Sequence, residues 1–292
     1  MAENISDKNG RALEYCIVDS IITRVPHVKV LLNTSQDQIR DGLKFKDIPT
    51  DLQQRFIDGS EKILKWLEDK FTISQAKSIS LERLQDNASK KGDVTDIRLV
   101  IDSKTINLSI KHNHIALKHQ RPGATPQQIG FLRKTIADTE FRNDYRNICN
   151  AFQSKAALLS PSATLFSELK DIQSDFIDDN LYEPMCMLVS NYLNKYASSN
   201  PNAQQFFKFI VGTINFYKIV VNSKSIEISE YAELTPVKGL TSEIKNKSYV
   251  IVTFSNGWVI SMRLHTASSK IKGTSLKFDT QPVTTPVPTE KV

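Results

Sequence analysis

Between Gly10 and Val25 apolar residues recur at helical spacing, with Leu13, Ile17, Ile21 and Ile22 forming one stripe, and this predicts an opening helix. The same period runs from Asp51 to Thr72 through Phe56, Ile63, Leu64, Trp66 and Leu67, and continues more weakly over Ile73 to Ser89. Asp138 to Ser160 and Leu165 to Tyr196 also read as helices, with Pro161 between them and Pro184 a kink or break in the second. After Asn200-Pro201 the pattern changes to strands: Ile214 to Val221, Ser225 to Ile228, Tyr249 to Phe254, Trp258 to Leu264 and Leu276 to Phe278 are short, β-rich and separated by turn residues such as Ser255-Asn256-Gly257. Trp258, a strand aromatic after a glycine turn, reads as core. No internal repeat or linker stands out. The chain therefore reads as one domain over 1–280, β-rich from 205 to 280, followed by a Pro- and Thr-rich tail over 281–292 that is extended or disordered.

One stretch alternates strictly: DIRLVIDSKTINLSIKHNH, Asp96 to His114, reads as an antiparallel hairpin over 96–111. A register in which Ile97 faces Ile110, Leu99 faces Leu108 and Ile101 faces Ile106 puts every apolar partner on one side, around a turn at Ser103-Lys104. On the other side it sets Asp96 across from Lys111 and Arg98 across from Ser109. An acid and a lysine on one polar face suit a metal-dependent phosphodiesterase, in which a carboxylate holds Mg²⁺ beside the phosphate and an ammonium orients the attacking water. The same pair is also what an ordinary surface ion pair looks like. The surroundings weigh against that: His112, His114 and His119 lie within eight residues, together with Lys118 and Arg121. The consecutive His112-Asn113-His114 cannot make an HNH nuclease site, whose residues come from separate elements. Nor does a spaced Cys or His complete a zinc set.

Composition narrows the class. The chain has 292 residues, 40% hydrophobic and 24% charged, enough for a sizeable core. Its longest apolar run, Phe206 to Val221, is interrupted by Lys208 and Lys218 and is too short to span a bilayer, so it reads as a core segment. No apolar leader follows the polar first residues, which argues against a secretory signal. Cys16, Cys149 and Cys186 are odd in number and widely spaced, so they fit buried thiols rather than a disulfide framework. The net charge of +6 is unevenly distributed: Lys238 to Lys277 holds seven basic residues and Glu243, whereas Glu168 to Glu183 holds six acids and Lys170. A basic face and an acidic face pointing different ways would favour a polyanion on one side.

The spacing Asp96, Ser109, Lys111 resembles the PD-(D/E)xK nuclease motif with serine at its second acidic position. GRALEY, GDVTDIRLVI, IKHNHIALKHQRPG and FSNGWVISMRLHTASSKIKGTSLKFD together resemble the HaeIII family of type II restriction endonucleases in pieces over most of the chain, more poorly between Pro122 and Asn200. The resemblance implies a mixed α/β fold, a central mixed sheet flanked by helices with a β-rich C-terminal region that reads DNA. It further implies Mg²⁺-dependent hydrolysis of double-stranded DNA, at GGCC with blunt ends and a 5′-phosphate, in the bacterial cytoplasm. Asp96, the Ile110 carbonyl and Glu14 would bind metal and Lys111 would position water. Glu14 stands in for the acid missing at Ser109, with Asp93 as the alternative. Base and phosphate contacts would come from His112, His114, Lys118, His119 and Arg121 after the hairpin, and from Asn256, Arg263, His265, Ser268, Ser269 and Lys270. A palindromic target fits a twofold homodimer, although successive cuts by a monomer would serve too, and a cognate cytosine methyltransferase would protect the host's sites. A non-catalytic DNA-binding protein, or a repair nuclease of the same fold reading DNA structure, would share parts of this pattern.

Overall fold

The computed structural model describes residues 5–84, 93–232 and 234–292. In chain order its elements begin with α1 (Ile5–Arg24), β1 (Val28–Val30), α2 (Leu32–Lys46), α3 (Thr50–Phe71), β2 (Ile79–Arg83), β3 (Ile97–Ile101), β4 (Lys104–His112) and β5 (Lys118–Gln120). Five helices follow: α4 (Thr125–Gln128), α5 (Ile136–Leu159), α6 (Phe166–Ile172), α7 (Glu183–Tyr196) and α8 (Asn202–Val211). The chain ends in β6 (Phe216–Val221), β7 (Ile226–Tyr231), β8 (Leu240–Lys245), β9 (Tyr249–Phe254), β10 (Val259–Thr266), β11 (Leu276–Thr284) and β12 (Thr289–Lys291). These elements form two compact units, one of Met1–Ile115, Gly212–Leu234 and Val287–Val292, the other of Ala116–Val211 and Thr235–Pro286. Among the described residues no helix is long and apolar enough to cross a membrane.

The first unit is built on a mixed seven-stranded sheet in the order β1-β2-β3-β4-β6-β7-β12. The β1–β2 and β4–β6 pairs are parallel and the others antiparallel. Leu13, Ile17 and Ile21 of α1 are fully buried, as the stripe predicts, against a cluster that includes Phe56, Ile63 and Leu67 of α3 and Leu81, Leu99 and Leu108 of the sheet. Each such side chain stabilises the fold by roughly 1.5–3 kcal/mol. Ile22, counted in the same stripe, is 38% exposed, because one residue past Ile21 it lies about 100° further round the helix.

The 96–111 hairpin forms in a register two residues from the expected one: Ile97 pairs with Leu108, Leu99 with Ile106 and Ile101 with Lys104. The turn is Asp102-Ser103, not Ser103-Lys104. Asp102 takes a left-handed φ of 52°, and its carboxylate and N–H bond the backbone of Ser78. Since side chains alternate with period two, a slip of two leaves every residue on its expected face. Only the partner changes: Asp96 comes level with Ser109 instead of Lys111. The weak helical continuation after Thr72 is instead a 3₁₀ turn, Ile73–Gln75, followed by β2. Its last residues, 85–89, lie outside the described residues. The Pro- and Thr-rich tail is extended and paired, with β11 running to Thr284 and β12 closing the sheet edge on β7.

The second unit has an antiparallel sheet, β5-β11-β10-β9-β8. Leu165 to Tyr196 is not one helix. It divides into α6, a π turn at Asp178–Tyr182, and α7, which takes Pro184 into its first turn, where the missing N–H does no harm. Phe206 to Val211, counted in the β-rich region, is helical: Ala203, Phe206, Phe207, Ile210 and Val211 of α8 are buried at spacings of three and four. Trp258 is fully buried, edge-on to Phe207 at 5.5 Å. Only a glycine fits at the entry to β8, since a Cβ on Gly239 would lie 2.3 Å from the Ser198 carbonyl oxygen. The acidic and basic segments are not kept apart. Lys247 pairs with Asp179, and the charges of Asp179, Asp175 and Glu183 hold its ammonium above the usual range. The three thiols are free, Cys16 and Cys186 buried and Cys149 half-buried.

Candidate active site

Asp96 sits in the bend just before β3, where β3 and β4 present their polar side. Its Oδ2 accepts the backbone N–H of Ile110 at 2.6 Å, the Ser109 hydroxyl at 3.4 Å and the Lys111 ammonium at 3.2 Å. Lys111 and Asp96 keep 21% and 25% of their side-chain surface, so both are held in place yet reachable. Ser109 between them is buried. The pair survives the register slip because lysine is long enough to bridge the diagonal of an antiparallel ladder.

Glu14 approaches from α1. Burial, then the nearby charge of Asp96, raises its carboxyl above the usual range, against the opposing pull of Arg83 and Arg11. Its Oε2 takes the Arg83 guanidinium at 2.6 Å and Arg11 at 3.2 Å. Arg83 is 1% exposed and also reaches Asp41 at 2.9 Å. Burial would raise the Asp41 carboxyl, but Arg40 and Arg83 outweigh it and hold it low. The Asp96 charge thus adds to burial in raising the Glu14 carboxyl, while a buried arginine anchors Glu14 from behind. Asp93, the alternative acid, is committed elsewhere, to Arg98 at 2.5 Å and to the Thr95 N–H.

One charged residue at this site escapes the sequence reading. Lys218, in the middle of β6, lies beside Ser109 in the β4–β6 ladder and is 4% exposed. Its ammonium donates to the Ile115 carbonyl. Burial, helped by the Lys111 charge, lowers its pKa to about 7. The signal was there: a lysine inside the buried run FYKIVV is a costly residue unless it has a role.

The expected DNA contacts divide between the units. In the first, His112 packs edge-on against Phe56 at 5.0 Å, and burial lowers its pKa; His114 is exposed. In the second, pairing brings His119, Asp279, Arg263 and Tyr249 into one row across β5, β11, β10 and β9, with His265 level with Lys277 beside it. Arg263 is exposed, and no carboxylate holds it among the described residues. Lys118 instead lies over the Phe209 ring at 4.0 Å and donates to the Phe209 carbonyl, and burial lowers its pKa. Arg121 is bonded to Ser275 and the Leu276 carbonyl. Asn256 braces the β9–β10 turn through the Thr235 carbonyl, and Ser268, Ser269 and Lys270 follow the far end of β10. Eight strand residues at about 3.3 Å each separate these two groups by roughly 26 Å. They do not form one cluster.

The family model of the HaeIII restriction endonuclease matches residues 10–232 and 222–286. The type II restriction enzyme HaeIII of Haemophilus aegyptius is 26% identical over 309 aligned positions, covering 94% of this chain and 93% of that enzyme. No solved structure matches. The match takes in the hairpin, α1 and the β-rich second sheet alike, and on that extent the chain belongs to the HaeIII restriction endonuclease family, a family of site-specific deoxyribonucleases.

Proposed function

We propose that this protein hydrolyses duplex DNA at a short palindromic site, GGCC cut at its centre to leave blunt ends and a 5′-phosphate, through a Mg²⁺-dependent PD-(D/E)xK type centre. The observation that carries the reading is the contact of Lys111 with Asp96 across Ser109, with Glu14 close enough to feel the Asp96 charge. An all-oxygen donor set of one or two carboxylates suits Mg²⁺, which keeps several of its waters, and a cation would relieve the repulsion between Asp96 and Glu14. Asp96, Glu14 and the Ile110 carbonyl would hold it; when bound it would offset charge on the scissile phosphate and acidify a water. Lys111 orients the attacking water and offsets charge building on the phosphate. Ser109 fixes the Asp96 carboxylate without adding a charge. The buried Lys218 supplies positive potential behind the site.

Recognition falls to the second unit in this reading. Arg263 on the exposed face of β10 is suited to guanine, whose O6 and N7 accept two parallel bonds from a guanidinium. His119 and His265 share that face, and Asn256, Ser268, Ser269 and Lys270 contact the backbone at its ends. His114 and Arg121 would add contacts to the DNA backbone, while His112 packs against Phe56 and Lys118 is held at Phe209. A homodimer matches the twofold target, and a cytosine methyltransferase protects the host. The test is a digest of plasmid in Mg²⁺ with wild type and Lys111→Ala. A discrete GGCC ladder from wild type alone is the expected result; a smear, or an intact plasmid, would overturn the reading.

A further inference from the structure

A cleft of about 450 Å³ in the second unit is lined by Arg121, Arg142, Arg146, Tyr145, Thr274 and Ser275. Among the described residues no carboxylate lines it. Arg142 is neutralised from behind by Asp138, which its Nε meets at 2.7 Å, and its Nη2 donates to the Gln127 carbonyl oxygen, so it forms a fixed wall. Arg121 and Arg146 are held differently. Arg121 donates from Nη1 to the Ser275 hydroxyl at 2.9 Å and the Leu276 carbonyl at 3.3 Å. Arg146 donates from Nε to the Arg142 carbonyl at 3.2 Å and from Nη2 to Asn143 at 2.7 Å. Their acceptors are neutral, so both guanidiniums are fixed in direction while no carboxylate pairs with either among the described residues. Each also keeps N–H donors in hand, since a guanidinium has five. Two such guanidiniums in one concave, hydroxyl-bearing wall concentrate positive potential and match the oxygens of a phosphate. The cleft opens beside the start of β11, whose next residue, Lys277, stands level with His265 on the exposed sheet face.

We infer that this cleft holds one phosphodiester of the DNA backbone through Arg121 and Arg146, fixing the duplex without reading its bases. The inference rests on the endonuclease reading for its partner but not for its test, which measures binding alone. Wild type, Arg121→Gln, Arg146→Gln and the double variant are titrated, with Ca²⁺ in place of Mg²⁺, on a GGCC duplex and a scrambled duplex at several salt concentrations. Each single variant should weaken both duplexes by the same factor. If the two arginines share one phosphate, the double variant should lower the slope of log affinity against log salt by about 0.9, not twice that. Arg121→Lys and Arg146→Lys keep the charge and should keep the slope while losing affinity, which separates the effect from misfolding. Unchanged binding, or a loss on the GGCC duplex alone, would overturn the inference. So would stabilisation of wild type by inorganic phosphate at matched ionic strength that the Gln variants lose while binding DNA normally, since the cleft would then be a small-anion site. If wild type left plasmid intact in Mg²⁺ yet the slopes shifted as expected, the nuclease reading would fail and the cleft would stand.

Discussion

The two sheets handle charge in opposite ways. On the mixed sheet of the first unit and the helix packed on it the charges that matter are inside: Arg83 is 1% exposed, Lys218 4% and Glu14, on α1, 8%. In the antiparallel sheet of the second unit Arg263 and His119 stand on an open face, and the core beneath is Met262, Leu264, Phe278 and Trp258. A mixed sheet with a parallel β4–β6 pair is covered by helices, so a polar group on it is desolvated and must find a partner or shift its pKa. An antiparallel sheet with one wet face can carry arginine and histidine with little loss of stability. The first arrangement preorganises a few groups for chemistry; the second presents side chains at an exposed surface.

The contrast is sharpest for catalysis. Lys111→Ala should lower cleavage by roughly 10²- to 10⁴-fold, the range for a group that manages a proton or water in the transition state, while duplex binding in Ca²⁺ stays near wild type. Single-turnover rates check this, and a rate close to wild type would remove Lys111 from the site. Next comes stability. Arg83→Met takes the buried guanidinium away from Glu14 and Asp41, leaving them only Arg11 and Arg40, and should destabilise the fold by about 3–5 kcal/mol, whereas Arg263→Met should stay within about 0.5 kcal/mol. Urea unfolding of the pair tests the comparison directly, and equal effects would break it.

Lys218 gives a pH signature. Its ammonium is reluctant to stay protonated in the fold, with a pKa near 7 against the usual 10.5, so between those values the unfolded chain binds more protons. Stability should therefore rise with pH from about 7 to about 10.5, and the penalty for burying the charge should be complete below pH 7. Lys218→Met should flatten that slope and stabilise the protein at neutral pH by a few kcal/mol, on the scale of 1.36 kcal/mol per unit, while cleavage falls. Thermal melts across pH read it, and an unchanged slope would mean the amine keeps water around it. The smallest effect belongs to the open face. Arg263→Ala should lose about 1–3 kcal/mol of binding on the GGCC duplex and little on a scrambled one. An equal loss on both would make Arg263 a backbone contact.

The sequence by itself determined what periodicity controls: the α1 stripe of Leu13, Ile17 and Ile21, the α3 and α5 helices, and which face of the hairpin each residue takes. Strand alternation is local, so Asp96, Ser109 and Lys111 share a face whatever the register, and that much of the site was legible. The register itself was not, because Ile97 packs equally well opposite Leu108 or Ile110; the turn at Asp102, tied to the Ser78 backbone, decides it. Helix α8 was hidden because an apolar run reads alike as strand or buried helix. Only the tertiary structure brought Lys218 beside Ser109, across more than a hundred residues, and set Arg83 behind Glu14. Only it assembled Arg121 and Arg146 into one cleft and separated Asn256 from Ser268 by the length of β10. Burial and long-range pairing depend on where distant segments pack, and no local pattern encodes that.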